Sequence, residues 1–504
     1  MSQTTSAPEL QVRTILGSVR GGGTDVRRFL GIPYAAPPVG ELRWRSPQPH
    51  AGWLGVREAM HFAPDSYQDA DPRLRGDARS EDCLYLNIWA PARVASETLP
   101  VMVWIHGNGY TRGSGSHVTY DGESLAARGV VVVTINYRLG LPGFLAHPLL
   151  TRESNHNSSG NYGIQDQIAA LKWVRENIAS FGGDPSRITV FGQSAGATCS
   201  ALILASDLAR GLVQQAILQS PGSVRPMATL SQAEEKGGLI GNDLVAMRKI
   251  PIEELHSMTG LLVPKARKLA SPRGMGPIVD GWVVRHDDMG SLLAGAMPPI
   301  PMIVGTNANE GRLLTNRLSV RTPEALDSYL VDSFGEGANL PEAYRSISPE
   351  QVTVAFENVM GDTQFNYGAW TIARGVRALG GTVFQYLFTP PQPISGLKPT
   401  HDDELPYAFG TLEQGGLHAE PGVDQGYSEC DWQVSALMGD AWVRFAKTGN
   451  PGGEGLNWPA QRGTSSVLVL DHYPQVSTMP REEDLRFLQR YFKHQEVPSR
   501  RHGK

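Results

Sequence analysis

A serine, a carboxylate and a histidine each follow an apolar run in this chain, and their types and order could do chemistry together. Ser194 lies in Gly192-Gln193-Ser194-Ala195-Gly196. The β-branched and aromatic run Ile188, Val190, Phe191 precedes it, and ALILA at 201–205 reads as the helix that follows. A glycine-flanked serine between strand and helix sits on a sharp turn that exposes its hydroxyl, and the glycines leave room for the turn and for a substrate. A serine hydroxyl attacks well only when a base takes its proton. In sites of this kind the acid and then the histidine come later in the chain. Glu310, in GTNANEG after PMIVG, and His401, in THDDELPYAFG after VFQYLF, stand in that order, with Asp280 in PIVDGW as the competing acid. The chemistry such a trio performs is acyl transfer through a covalent acyl-serine. The plain alternatives are an ordinary turn serine and a surface-loop glutamate.

Elements that could position these residues recur along the chain. Strand-like runs occupy 101–105, 130–136, 188–191, 216–218, 302–305 and 383–388, with helix-like segments at 162–180 and 202–210 between them. Strands alternating with helices predict an α/β fold, a central and mostly parallel twisted sheet with helices on both faces. Such sheets hold ligands at the carboxyl ends of their strands, and all three candidates follow strand-like runs. Residues 225–300 and 312–381 are more mixed and are expected to form a helical region over the site. The chain has 504 residues, a length that by itself suggests about three domains. Convergence of Ser194, Glu310 and His401 from distant positions argues instead for a single domain over 12–495, with a polar tail at 1–11 and a basic tail at 496–504.

A net charge of −5 gives no sign of nucleic-acid or anionic-membrane binding. The start, MSQTTSAPELQV, lacks the basic segment and apolar core of a secretory signal, and there is no run of about eighteen apolar residues to span a bilayer. Of the three cysteines, Cys83, Cys199 and Cys430, none suggests a disulfide framework, so a reducing cytoplasm is expected. His147 and His156 lack ligand spacing, and GSVRGGG at 17–23 lacks the lysine and the strand–helix context of a phosphate loop. No metal or cofactor is expected; the partner is a small-molecule ester, and the assembly a monomer or homodimer.

The segment FGGDPSRITVFGQSAG at 181–196 resembles the serine signature of the type-B carboxylesterases, the family that includes cholinesterases and bacterial p-nitrobenzyl esterases. EDCLYLNIWAP at 81–91 resembles its second signature, and FLGIPYA at 29–35, NYRLG at 136–140, GNYGIQDQ at 160–167, AWVRFAKTGNP at 441–451 and NWP at 457–459 follow in the family's order. The resemblance implies an α/β-hydrolase fold and a Ser194–His401–Glu310 triad, because the family carries its glutamate in a G-T-N-x-x-E-G loop and its histidine in H-G-x-E-[LI]. Asp402 replaces the glycine after the histidine and places a carboxylate beside the base. Oxyanion donors are expected from the Ala195 N–H and, by the resemblance, from Asn108 and Gly109, where similar enzymes read H-G-G-G-F. Asn108 departs from that pattern, tolerates a positive φ, and could offer its amide to a polar substrate group. Gln193 stands where the family commonly has glutamate, removing a negative charge near His401. Ser220, in ILQSPG, resembles a serine behind the elbow, and Pro221 is expected to reshape the acyl pocket. Secreted members pair the cysteine matching Cys83 with one about twenty residues upstream; here Ser66 takes that place.

Ester hydrolysis is therefore expected, of short-chain or aryl esters first, with a specialised polar ester, a carbamate or an amide as the alternative; Arg112 and Arg225 could supply charge to such a substrate. The short, charged segment at 65–82 disfavours a lipase lid, and an intact trio disfavours a non-catalytic binding protein.

Overall fold

The run VVVTI (Val131–Ile135) is buried at every position, as a strand covered on both faces must be. In the computed structural model, which describes residues 10–92, 98–222, 226–263, 274–315, 320–346, 348–420, 423–462 and 465–496, it belongs to a ten-stranded sheet. The strands are β1 (Val26–Pro33), β2 (Tyr85–Pro91), β3 (Leu99–Ile105), β4 (Val131–Ile135), β5 (Gly183–Gln193), β6 (Gln215–Gln219), β7 (Met302–Asn307), β8 (Val383–Phe388), β9 (Ser466–Leu470) and β10 (Gln475–Thr478). Their spatial order is β10-β9-β8-β7-β6-β5-β3-β4-β2-β1. Neighbours from β9 through β4 run parallel, and β10, β2 and β1 close the edges antiparallel.

The main helices are α1 (Tyr162–Asn177), α2 (Ala195–Ala205), α3 (Pro349–Gly361), α4 (Tyr367–Ala378), α5 (Leu405–Phe409), α6 (Glu429–Thr448) and α7 (Glu482–Glu496). Alternation along β3 feeds two cores. Val101, Val103 and Ile105 join Leu171 and Val174 of α1 and Ala197 and Ala201 of α2 on one face. Met102 and Trp104 join Met438, Trp442 and Phe445 of α6 on the other. A third cluster, with Val352 and Phe356 of α3 and Leu485 and Leu488 of α7, packs beyond the sheet.

Five of the six strand-like runs lie within β3 and β5 to β8, and the sixth, 130–136, overruns β4 by one residue at each end. Two helix boundaries differ from expectation. The helix expected at 162–180 ends at Asn177 and tightens into a 3₁₀ turn, Ile178–Phe181, stopped by Gly182 at φ 92°. The helix expected at 202–210 is α2, which begins directly after Ser194 and stops at Ala205. The edge strands carry weaker signals: β10 is exposed along its length, and β1 is interrupted by Arg27 and Arg28. Arg27 is tolerated inside because it donates to the Pro91 and Phe181 carbonyls. Residues 226–263 and 320–378 are rich in helix, as expected for those regions.

None of the three cysteines forms a disulfide. Burial pushes the Cys83 thiol up to about 12, offset in part by its hydrogen bond with Ser66, the residue at the position of the lost partner. Among the described residues no helix is long and apolar enough to cross a membrane.

Candidate active site

β5 ends at Gln193, α2 starts at Ala195, and Ser194 between them takes φ 56° and ψ −121°, a conformation few non-glycine residues adopt. Its N–H is held by the Gln219 carbonyl of β6 at 2.9 Å. The turn closes because its glycines lack side chains. A Cβ at Gly196 would lie 2.0 Å from the Ile105 carbonyl, and one at Gly192 would lie 2.8 Å from Gly196.

His401 and Glu310 meet Ser194 at this point. His401 Nε2 is 2.7 Å from Ser194 Oγ and Nδ1 is 2.6 Å from Glu310 Oε2. Glu310 follows β7 and is buried; its Oε1 accepts from Ser220 Oγ at 2.6 Å and from the Asn307 N–H at 2.7 Å. Ser220, itself at φ 48°, thus touches the acid directly. Asp280 does not take part: its carboxylate accepts from the Trp282 and Val284 N–H groups and from Ser158, and holds a loop together.

The loop after β3 passes over the serine. Gly107 has no room for a side chain, since its Cβ would lie 3.1 Å from Ser194 Cβ and 2.6 Å from the Gln193 carbonyl. Asn108, Gly109 and Tyr110 follow at φ 70°, 65° and 67°, so asparagine occupies a left-handed position. Among the described residues no acceptor takes the Asn108, Gly109 or Ala195 N–H. Unpaired backbone donors beside a serine hydroxyl are what an oxyanion requires.

Gln193 is buried and its Nε2 donates to the His401 carbonyl at 2.7 Å, so the residue before the serine grips the backbone of the histidine. Asp402 takes no positive φ, so a residue with a side chain stands in the place of glycine without backbone strain. Burial pushes its carboxyl up, but a 3.0 Å contact with His418 and the charges of His418 and His401 outweigh that and hold it below the usual range. Asp403 is pushed up to about 6 by burial and by the neighbouring Asp402. Both line a cavity of about 300 Å³ behind the histidine loop, walled by Phe388, Tyr407 and Tyr427.

Two residues of the site carry no sequence reading of their own. Glu404, noted only as part of a matching motif, is fully buried and accepts from Asn307 Nδ2 at 2.6 Å and Gln219 Nε2 at 3.1 Å. Burial raises it well above the usual carboxylate range, the Asn307 hydrogen bond offsets part of that, and the nearby Glu310 adds to it. Phe365 stacks on the His401 ring with centroids 3.8 Å apart, and no local pattern in the sequence marks it. Arg112 is exposed and paired with Asp69, while Arg225 lies outside the described residues. His147 bonds the Gly241 carbonyl and caps a helix, and His156 stacks on Trp282. Among the described residues no cluster of His, Cys, Asp or Glu is arranged to hold a metal ion.

Comparison with known proteins identifies the family. The model of the carboxylesterase family matches residues 7–488. Fumonisin B1 esterase of Sphingopyxis macrogoltabida is 45% identical over 92% of this chain and 87% of its own length. Para-nitrobenzyl esterase of Bacillus subtilis (strain 168) is 35% identical over 94% and 97%. A solved PNB esterase superposes with a TM-score of 0.82 at 34% identity, covering 95% of this chain and all of its own. Likeness of this extent in sequence and in fold places the chain in the carboxylesterase family, as an α/β-hydrolase that hydrolyses carboxylic esters.

Proposed function

We propose that this chain is a serine carboxylesterase that works through Ser194, His401 and Glu310. The observation that carries the reading is the unbroken hydrogen-bonded line from Ser194 Oγ through the imidazole to Glu310, at 2.7 and 2.6 Å. His401 takes the Ser194 proton as the hydroxyl attacks the ester carbonyl. The Asn108, Gly109 and Ala195 N–H groups receive the oxyanion, and Glu310 orients and stabilises the imidazolium. The alcohol leaves with the proton from His401; water activated by the same base then releases the acid. One domain over 12–495 carries the whole machinery, and cysteines outside any disulfide suit a reducing compartment.

Short-chain and aryl esters are the first substrates to expect. A specialised ester is the second reading, favoured by 45% identity to a protein named fumonisin B1 esterase. The test is hydrolysis of p-nitrophenyl esters from acetate to palmitate beside fumonisin B1, with Ser194→Ala in parallel. Short-chain turnover that the variant loses by at least ~10³-fold supports the triad. Turnover of fumonisin B1 alone moves the assignment to the specialised ester. Undiminished turnover by Ser194→Ala removes the serine mechanism.

A further inference from the structure

We propose that Phe365, carried on a π-helical turn, is a positioning residue for the base: its ring clamps the imidazole of His401 in the orientation that reaches Ser194 and Glu310 together, and favours the imidazolium formed during attack. The inference rests on His401 being the base.

Helices α3 and α4 form one continuous rod interrupted by a single π turn, Asp362–Asn366. Such i→i+5 turns are rare, and they concentrate at functional sites. The spacing shows what this one does. Glu357, Gly361 and Phe365 recur every four residues. The first two already pack on the acid's loop: a Cβ at Gly311 would meet the Glu357 carbonyl at 1.9 Å, and one at Gly361 would lie 3.4 Å from Glu310 Cβ. In an α-helix a four-residue step rotates a side chain about 40° past a full turn, so a third residue would drift off the shared face. The wider π turn holds more residues per turn and cancels that drift. Phe365 therefore stays above the site, with its ring 3.8 Å from the imidazole centroid and 27° from parallel.

The turn is fastened from behind. Asp362, fully buried, accepts from Tyr344 Oη at 3.0 Å, from Asn366 Nδ2 at 2.8 Å and from Arg481 at 2.5 Å. The Thr363 hydroxyl donates to the Val359 carbonyl at 2.6 Å. An ion pair buried only at its aspartate end and three further hydrogen bonds thus maintain a helix defect whose product is the placement of one aromatic ring.

That ring supplies what the other contacts of His401 do not. Hydrogen bonds to Ser194 and Glu310 fix the two nitrogens, and the Gln193 amide fixes the backbone carbonyl. Rotation about the line between the two nitrogens is left to be limited by packing, and Phe365 covers that face. An aromatic face also attracts a cation, so it steadies the protonated ring that must last from attack until the alcohol leaves. The titratable groups facing His401 from its surroundings are Glu310 on the β7 loop, Asp402 on its own loop with His418 beyond it, and Glu404 behind Asn307.

Phe365→Met keeps volume and dryness while removing the aromatic face; Phe365→Tyr keeps the face. The expected result for the methionine variant is a kcat for p-nitrophenyl acetate down about tenfold with KM little changed. The acidic limb of its kcat/KM profile moves down by about half a pH unit, as loss of a cation–π contact requires. The tyrosine variant restores both. The low-field proton resonance of the His401–Glu310 hydrogen bond, followed against pH in protein without substrate, gives the same shift and does not depend on the chain turning over any ester. A wild-type chain inactive on every ester would count against the functional reading, and this resonance would still decide the role of Phe365. A methionine variant that is less thermostable but superposes on the wild type in pH profile and resonance overturns the proposal, as does one with unchanged kcat.

Discussion

At the serine elbow, position is set by backbone against backbone: Gly192 and Gly196 are wedged between β3 and the turn, the Ser194 N–H is pinned to Gln219, and no charged side chain is needed. At the histidine loop, position is set by side chains. Asn307 donates to the Thr400 carbonyl and to Glu404, Gln219 donates to Glu404, Gln193 holds the His401 carbonyl, and of the three acidic residues that follow His401, Asp402 and Glu404 are buried and Asp403 is half-buried. The first arrangement is a matter of hard contact, which either fits or fails. The second is a balance of burial against hydrogen bonds and charge, which can be tuned in small steps. The two regions should therefore answer to mutation differently.

The largest effect is expected at the elbow. Gly196→Ala places a methyl 2.0 Å from the Ile105 carbonyl, a backbone atom that a rotamer change cannot move aside. A cost of ~3 kcal/mol or more in unfolding free energy is expected, with activity lost in whatever folds. A denaturant titration that finds the variant within ~0.5 kcal/mol of wild type would erase the distinction between the two regions.

At the histidine loop one substitution is expected to stabilise. Asp403 Oδ2 accepts from Gln392 Nε2 and from the Thr400 N–H, both at 2.7 Å, and an asparagine oxygen can accept the same two bonds. The acid is pushed up to about 6 in the fold, against ~3.9 in an unfolded chain. Between those values the folded state keeps a proton that the unfolded state has lost. The stability this proton supplies is complete below about pH 4, declines as pH rises, and is gone above about pH 6. Asp403→Asn removes the decline. The variant should match wild type at pH 4 and exceed it by about 3 kcal/mol at pH 7. Thermal melts at the two pH values check this, and equal stability at both would show that the loop's burial does not act as described.

The same contrast explains what the sequence discloses. Hard contact leaves a compositional trace, because only glycine fits at 192 and 196 and a strand runs directly into a helix around them; Ser194 and its elbow are legible in one short segment. The acid and the histidine are legible through chain order and the loops that carry them. A balance of interactions leaves little trace. Glu404 is an ordinary acidic residue in a row of three until Asn307 and Gln219 are seen to hold it, and nothing in DTQFN announces a π turn. Phe365 acts through stacking between residues 36 positions apart, a pairing that no local periodicity encodes. The edge strands escape for a related reason, since their exposed positions carry polar residues.

The smallest expected effect sharpens the comparison most, because Gln193 belongs to both regions: it ends the strand before the serine and donates to the carbonyl of the base at 2.7 Å. Gln193→Glu keeps the shape, takes away the donor and brings a negative charge close to His401. That charge stabilises the imidazolium, so the acidic limb of the pH–rate profile should move up by about half a unit. Gln193→Met takes away the donor and adds no charge; its limb should stay where it is while kcat falls by a few-fold. If both variants lose kcat alike and neither moves the limb, Gln193 acts only as a spacer, and the elbow's logic of contact extends to the histidine. If the glutamate variant alone moves it, the boundary between contact and charge runs through this one side chain.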